Sequence, residues 1–169
     1  LTNMLASIPN IDYTVYGEKL TGLSVAQVPA EHLLFVPAGT LEFDDPVIEK
    51  SMRANMEWIN RTMAASGLVA AGPMRIVTSE QGRETYTFDV AQPVRKAAEA
   101  EGAAATAELT GLTFPPGSPV KYQLAPARRA VTGKFIGYIR ELENVRNALR
   151  AWSAPRGLEV VDRPYEVYD

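Results

Sequence analysis

Apolar residues along this chain follow two periods, one typical of strands and one typical of helices. The runs at residues 23–28 and 33–36 are short and apolar, which predicts two strands. Pro29 stops the first run, and Pro37-Ala38-Gly39 is expected to break the second. A weaker alternation at residues 13–16 predicts a short strand, and residues 1–21 as a whole are expected to form an N-terminal arm.

The next segment predicts a helix. Asp44 or Asp45 can cap its N-terminus, and Pro46 suits the first helical position because its missing N–H needs no partner there. Gly67 is expected to end the helix in a left-handed conformation. One apolar stripe runs between these limits at steps of four and three residues: Ile48, Met52, Met56, Ile59 and Met63.

The remaining pattern predicts a hairpin and then a second set of similar elements. Residues 74–78 and 85–90 predict the two strands of the hairpin, with Gly82 in the turn. Residues 120–124 and 130–135 predict two further strands, and residues 165–168 predict a last one. A second amphipathic helix is predicted from a stripe of four apolar residues: Leu142, Val145, Leu149 and Trp152. Between the two sets, residues 95–108 are rich in alanine and glutamate and predict either a solvated linker helix or a mobile loop.

The two sets of elements form an internal repeat. Four markers recur in the same order at separations of 90 to 97 residues. We therefore predict an α+β fold of two strand–helix–strand–strand units (SHS2 repeats), related by a pseudo-twofold axis and sharing a curved antiparallel sheet with two main helices. The first repeat is expected at about residues 22–91, a linker at about 92–119 and the second repeat at about 120–169. The paired markers are Pro29-Ala30 and Pro126-Ala127, Trp58 and Trp152, Gly67-Leu68 and Gly157-Leu158, and Pro73 and Pro164.

The composition of the chain excludes several classes of function. The 169 residues carry a formal charge of −3, which argues against direct nucleic-acid binding because phosphate contacts need a basic face. Cysteine is absent, so disulfides and thiolate metal sites are excluded, and His32 is the only histidine. No apolar run is long enough to span a membrane. We expect no cofactor and a cytoplasmic location.

These pieces resemble the GyrI-like (gyrase-inhibitor-like) family, which also supplies the effector-binding half of bacterial multidrug-responsive regulators. The resemblance covers about residues 22–169, and its most specific part is the segment Pro164-Tyr165-Glu166-Val167-Tyr168. The chain departs from the family pattern in the long linker and in Gly137-Tyr138, where a proline often intervenes. The segments that carry the resemblance are QVPAEHLLFV, SGLVAAGPMRIV, QLAPARRAVTGKFIGY and RGLEVVDRPYEVYD.

The resemblance implies a ligand pocket that contains Glu166, whose carboxylate would meet cationic ligands; without the resemblance, Glu166 reads as a solvated edge-strand residue. Arg75 holds the equivalent place in the first repeat, and we hypothesise that it pairs with Glu166 in the empty protein. Tyr138 and Tyr168 are the aromatic residues best suited to line such a pocket. Trp58 and Tyr86 are further candidates, although a tryptophan on a helix is more often a core residue and Tyr86 is also expected to fit under the helices.

These observations predict a binding module for hydrophobic, including cationic, small molecules, which acts as a sensor or a sequestering protein. As a sensor it would work with a DNA-binding domain, either upstream of Leu1 or on a separate chain. One alternative is a hydrolase of reactive electrophilic compounds, in which Glu166 is the general base and Tyr138 or Tyr168 the proton donor. Another is a protein-interaction module, such as a topoisomerase inhibitor. His32 is expected to be a surface or hydrogen-bonded structural residue, and the basic run of Arg128-Arg129 with Lys134 is expected to form a solvated edge.

Overall fold

The fold is α+β, as predicted. A computed structural model describes residues 13–15, 18–135, 142–159 and 163–167. In that part of the chain, helix α1 spans Asp45–Ser66, helix α2 spans Leu142–Ser153, and a short 3₁₀ turn follows at Ala154–Arg156. The strands are β1 (Tyr13–Val15), β2 (Glu18–Val28), β3 (Glu31–Glu42), β4 (Leu68–Ala70), β5 (Arg75–Gln81), β6 (Thr85–Lys96), β7 (Lys121–Ala125), β8 (Arg128–Lys134) and β9 (Tyr165–Val167).

The chain divides into two compact units, and each takes strands from both halves of the sequence repeat. The smaller unit comprises Leu1–Ala26 and Ala130–Val161, and the larger comprises Gln27–Arg129 and Asp162–Asp169. In the smaller unit β2 of the first repeat lies beside β8 of the second, in the order β1-β2-β8. In the larger unit β3 of the first repeat pairs with β7 of the second. The chain therefore passes from one unit to the other close to the two Pro-Ala corners.

The larger unit is built on a sheet whose described pairings are all antiparallel, in the order β7-β3-β6-β5-β9, with β4 also paired to β6. Val36 lies opposite Val90, and Val90 lies opposite Ile76, so these side chains share one face of the sheet. All three are fully buried or nearly so, and we call this side the core face. Helix α1 contacts β3, β4 and β6, and its Ile48 and Ile59 are fully buried.

Helix α1 begins and ends where the sequence predicts. Asp44 occupies the N-cap position in an extended conformation, but its side chain makes no capping hydrogen bond, and a proline follows at the start of the helix. Gly67 ends the helix with φ 67°, and its N–H donates to the carbonyl of Met63. The methionines of the apolar stripe are half-buried, whereas Ile48 and Ile59 are fully buried.

Gly67 should be sensitive to substitution because its conformation is left-handed. A Cβ at this position meets no atom within 4 Å, so any cost of a side chain arises from the backbone alone. We expect Gly67→Ala to lower the free energy of unfolding by roughly 1 kcal/mol, and Gly67→Asn to lower it less, because asparagine tolerates this conformation. Urea denaturation measures both values. Equal stability of Gly67→Ala and the control Gly72→Ala, whose φ is not positive, would contradict this assignment.

Strand β3 is longer than the apolar pattern predicts. The expected break at Pro37-Ala38-Gly39 is wrong: the strand continues to Glu42, and its register with β6 shifts between Pro37 and Gly39. Gly39 has φ 78°, which lets the extra residue bulge while pairing resumes beyond it. Pro37-Ala38-Gly39 therefore marks a bulge within the strand rather than its end.

The alanine-rich linker is an irregular loop rather than a helix, since no helix is assigned between β6 and β7. It is attached to the larger unit at separate points. The Ala105 N–H donates to the Ala30 carbonyl at 2.9 Å, and the Leu109 N–H donates to the Tyr122 hydroxyl at 2.9 Å. Its alanines offer no apolar stripe to pack, and helices in proteins depend on such packing.

The smaller unit has its own core. Leu20 on β2 and Val145 on α2 are buried at its centre. Trp152, also on α2, is 9% exposed, so Val145, Leu149 and Trp152 of the predicted stripe lie on the buried side of this helix. The partly buried residues packed around the two central ones are Leu23, Phe135, Ala148 and Leu149.

Candidate ligand-binding site

A cluster of charged side chains lies in the larger unit at the start of β3. The Glu31 carboxylate accepts two hydrogen bonds from Arg75, one from Nη1 to Oε1 at 2.7 Å and one from Nη2 to Oε2 at 3.1 Å. This bidentate geometry matches the planar fork of a guanidinium to the two oxygens of a carboxylate. Arg75 is the first residue of β5, so the pair joins two strands that are not neighbours in the sheet.

A second arginine and a tyrosine complete the cluster. Arg128, the first residue of β8, donates from Nη2 to Glu31 Oε1 at 3.1 Å and from Nη1 to the Pro126 carbonyl at 3.2 Å. The Tyr165 ring lies 4.6 Å from the Arg75 guanidinium carbon and 5.7 Å from that of Arg128. Both are cation–π distances. We call Glu31, Arg75, Arg128 and Tyr165 the arginine cluster.

The charges in the arginine cluster are largely removed from solvent. The side chains of Arg75, Glu31 and Arg128 are 9%, 18% and 22% exposed. Arg75 Nε is buried, and no described residue accepts a hydrogen bond from it. Burial of this kind costs free energy, which the mutual attraction of the three charges offsets only because the geometry is good.

Sequence reasoning missed Glu31 and Arg128, although the repeat contained the signal for them. Each residue directly follows the Pro-Ala pair of its own half: Ala30 precedes Glu31, and Ala127 precedes Arg128. Opposite charges at equivalent places of a repeat are a reason to test for contact. The expectation that Arg128 is a solvated edge residue is wrong, because its side chain is mostly buried and bound to Glu31.

The predicted ion pair between Arg75 and Glu166 also needs correction. Arg75 uses Nη1 and Nη2 to bind Glu31. In the register of β5 and β9, Arg75 lies opposite Val167 and Glu166 lies opposite Ile76. Residues directly opposite share a face and adjacent residues alternate, so Arg75 and Glu166 point to opposite faces of the sheet. Tyr165, rather than Glu166, shares the face of Arg75.

Glu166 itself is half-buried, and it lies beside Ile76 on the core-face side of β9. Among the other predicted site residues, Tyr86 is fully buried, and its hydroxyl is hydrogen-bonded to Thr78. Its ring therefore packs in the core, next to Phe88. Trp58 is half-buried on α1, with the Arg61 guanidinium carbon 5.3 Å from its ring centre. Tyr138 and Tyr168 lie outside the described residues.

Strand β9 is held against β5 by Arg163. Its Nε donates to the Thr78 carbonyl at 3.1 Å, and its Nη2 donates to the Val77 carbonyl at 3.0 Å. Its Nη1 donates to the Asp89 carboxylate at 3.1 Å. The Thr78 N–H in turn donates to the Pro164 carbonyl at 3.0 Å. We call these contacts the β9 anchor, and they position Tyr165 in the arginine cluster.

A cavity of about 480 Å³ lies between the linker and the adjoining ends of β3 and β6. Its lining includes Glu31, His32, Arg95 and linker residues 102–109, so Glu31 belongs both to this cavity and to the arginine cluster. His32 is 6% exposed, and its Nδ1 lies 2.8 Å from the Tyr122 hydroxyl. Most of the linker residues that line it are exposed, so the cavity is open to solvent on that side. We call it the linker cavity.

The comparisons with known proteins concern the fold. No protein-family model matches the chain, and no curated protein sequence is similar to it. The crystal structure of the EcmrR C-terminal domain aligns with a TM-score of 0.59 and 17% identity, over 88% of this chain and 84% of that one. A cryo-EM structure of an EcmrR–DNA complex, in EcmrR-RPo, aligns with a TM-score of 0.60 and 16% identity, over 87% of this chain.

The aligned region covers 49% of the EcmrR chain in the DNA complex, so this chain spans about half the length of that protein. At these identities the likeness concerns the fold. It shows that this chain shares the fold of the EcmrR C-terminal domain. Among the helices of the described residues, none combines the length and the apolar character needed to cross a membrane.

Proposed function

From a fold shared with the C-terminal domain of EcmrR, we infer that this chain is a small-molecule-binding module that senses or sequesters its ligand. The observation that carries this proposal is the arginine cluster beside the linker cavity. Glu31 is common to both, so a molecule in the cavity would lie beside a mostly buried residue whose carboxylate two guanidiniums hold in place. Space for an organic body and a fixed polar contact are the two features of a small-molecule site.

A role in stability alone would not explain the cluster. Replacement of buried ion pairs by packed apolar residues is often neutral or stabilising, so such pairs are weak evidence for a purely structural purpose. Charged groups gathered away from solvent occur at functional sites as well as in structural ion-pair networks. Here they gather where the two Pro-Ala corners and the last strand of the sequence meet.

We extend the proposal to a DNA-binding partner domain. EcmrR is seen in complex with DNA, and the half of its chain that this protein does not match leaves room for such a domain. The net charge of −3 supports a division of labour in which another domain contacts the phosphates. We therefore propose that this chain is the ligand-responsive part of a regulator.

A thermal-shift screen of the purified chain against aromatic anions, neutral compounds and cations tests ligand binding. A ligand present at 100 times its Kd stabilises the native state by about 2.7 kcal/mol, which corresponds to a rise in Tm of roughly 5–10 °C for a chain of this size. We expect such a rise for one charge class, and we expect Arg75→Met to abolish it. The control Arg53→Met removes an arginine whose side chain is 84% exposed and should leave it unchanged. The proposal fails if no charge class raises Tm.

A further inference from the structure

The arginine cluster contains more positive than negative charge. Arg75 and Arg128 both bind the one carboxylate of Glu31, and Arg75 Nε has no acceptor among the residues that the structure describes. The neighbouring linker cavity is lined by Arg95 and Lys96 and by Glu99 and Glu108, so its own charges balance, and the positive excess lies in the arginine cluster.

We propose that the ligand of this site is an organic carboxylate, and that Glu31 occupies the place of the ligand's carboxylate in the empty protein. The inference rests on the proposed function and specifies its ligand class. The geometry already fits a carboxylate, with a bidentate contact to Arg75 and a third hydrogen bond from Arg128. The apolar body of the ligand would lie in the linker cavity, which Glu31 also lines.

Exchange of one carboxylate for another keeps both guanidiniums paired. Glu31 is the first residue of β3, directly after the Pro29-Ala30 corner, so its side chain can turn outward while the strand keeps its pairing with β7. A bound anion would then replace an internal one, and no buried charge would be left without a partner.

A cation faces the opposite situation. It would have to approach a carboxylate that two guanidiniums already share, at a distance where like charges repel. Withdrawal of Glu31 toward the cation would leave Arg75 and Arg128 buried without an anion. Glu166, which the resemblance assigns to cationic ligands, points to the other face of the sheet at its position in β9.

Glu31 belongs to the chain itself, so a free ligand must gain additional binding free energy to displace its carboxylate. The wall of the linker cavity supplies that additional binding. Many of the lining residues are alanines, including Ala103, Ala104 and Ala105, whose short side chains do not fill the space. An aromatic body that enters this space gains burial that the Glu31 side chain cannot gain. Acidic molecules without such a body have no comparable gain, which selects for aromatic or otherwise apolar carboxylates.

The test uses compounds that share a ring system and differ in charge: benzoate and naphthoate, the corresponding alcohols, and the corresponding trimethylammonium cations. Binding is measured by calorimetry and by thermal shift, on the wild type and on Arg128→Gln, Glu166→Gln and Arg53→Gln. We expect the carboxylates to bind the wild type and to bind Arg128→Gln at least about tenfold more weakly, because a charge-assisted hydrogen bond is lost. Glu166→Gln and Arg53→Gln should bind them as the wild type does.

Two further measurements separate displacement of Glu31 from simple attraction to a basic surface. Amide resonances of linker residues 103–109 should shift on addition of naphthoate, since these residues line the cavity. Glu31→Gln, which removes the internal competitor, should bind naphthoate about tenfold more tightly than the wild type. Arg128→Gln keeps the test decisive if Glu31→Gln does not fold.

The outcomes distinguish this inference from the proposed function. Binding of the trimethylammonium compounds alone, with loss in Glu166→Gln, would overturn the carboxylate assignment and leave a ligand-binding module in place. Carboxylate binding that is equally strong in Arg128→Gln would also overturn the assignment. Failure of every compound in the wider screen would overturn the proposed function itself.

Discussion

Replacement of Glu31 by glutamine will lower the free energy of unfolding by about 3 kcal/mol, because it leaves two mostly buried guanidiniums without a carboxylate. Glutamine keeps the volume of the side chain but turns an acceptor for Arg75 into a partly donating amide. Urea denaturation of the wild type and the variant measures the difference. The large effect is expected from the uncompensated charges rather than from the loss of one contact.

A matched control comes from helix α1. Glu57 binds Arg61 at 2.7 Å, and both side chains are more than half exposed. Glu57→Gln should therefore cost less than about 1 kcal/mol, as exposed ion pairs do. In the background of Glu31→Gln, further substitution of Arg75 by methionine should recover part of the lost stability, because one unpaired charge is then removed. Similar losses for Glu31→Gln and Glu57→Gln would show that the cluster is screened by solvent.

The second large effect is expected at Arg163. Arg163→Met removes donors to the Val77 and Thr78 carbonyls and to the Asp89 carboxylate. Strand β9 pairs with β5 at only three described positions, so we expect it to open locally while the rest of the sheet stays closed. Hydrogen exchange should show at least about tenfold faster exchange at the amides of β9 and of Thr78, consistent with the loss of hydrogen bonds to a charged group.

Exchange at the central strand β6 supplies the internal comparison, because Val90 and Phe88 are fully buried on a strand that β5 separates from β9. Their amides should keep the protection of the wild type. Arg53→Met, which changes an exposed arginine on α1, should leave both regions unchanged. Uniform loss of protection across β6 and β9 would instead show that Arg163 supports the whole sheet.

The fold was predictable because its signals are local. The stripe of α1, the glycine that ends it and the order of strands around the two Pro-Ala pairs each depend on neighbouring residues, and the structure confirms them. The bulge in β3 was not predictable, since Pro37 and Gly39 are equally consistent with a strand end. The division of each repeat's strands between the two compact units was not predictable either, because it depends on long-range pairing.

The candidate site was predicted only in part because its geometry depends on strand register. The repeat selected Arg75 and Glu166 as equivalent residues, but equivalence in the chain does not place two residues opposite each other across a sheet. A shift of one residue exchanges the two faces, and here it brings Tyr165 to Arg75 instead of Glu166. Glu31 and Arg128 lay beside motifs that the sequence did reveal, and only their contact distance showed their role.

The contact between Glu31 and Arg128 bears on how the two halves arose. The two residues hold the same place in their repeats, so an ancestor formed by exact duplication would have carried one residue type at both places. Two carboxylates or two guanidiniums would then have met at this point and repelled each other. The present ion pair therefore depends on a difference in charge between the two halves, and a homodimer of either half alone could not reproduce it.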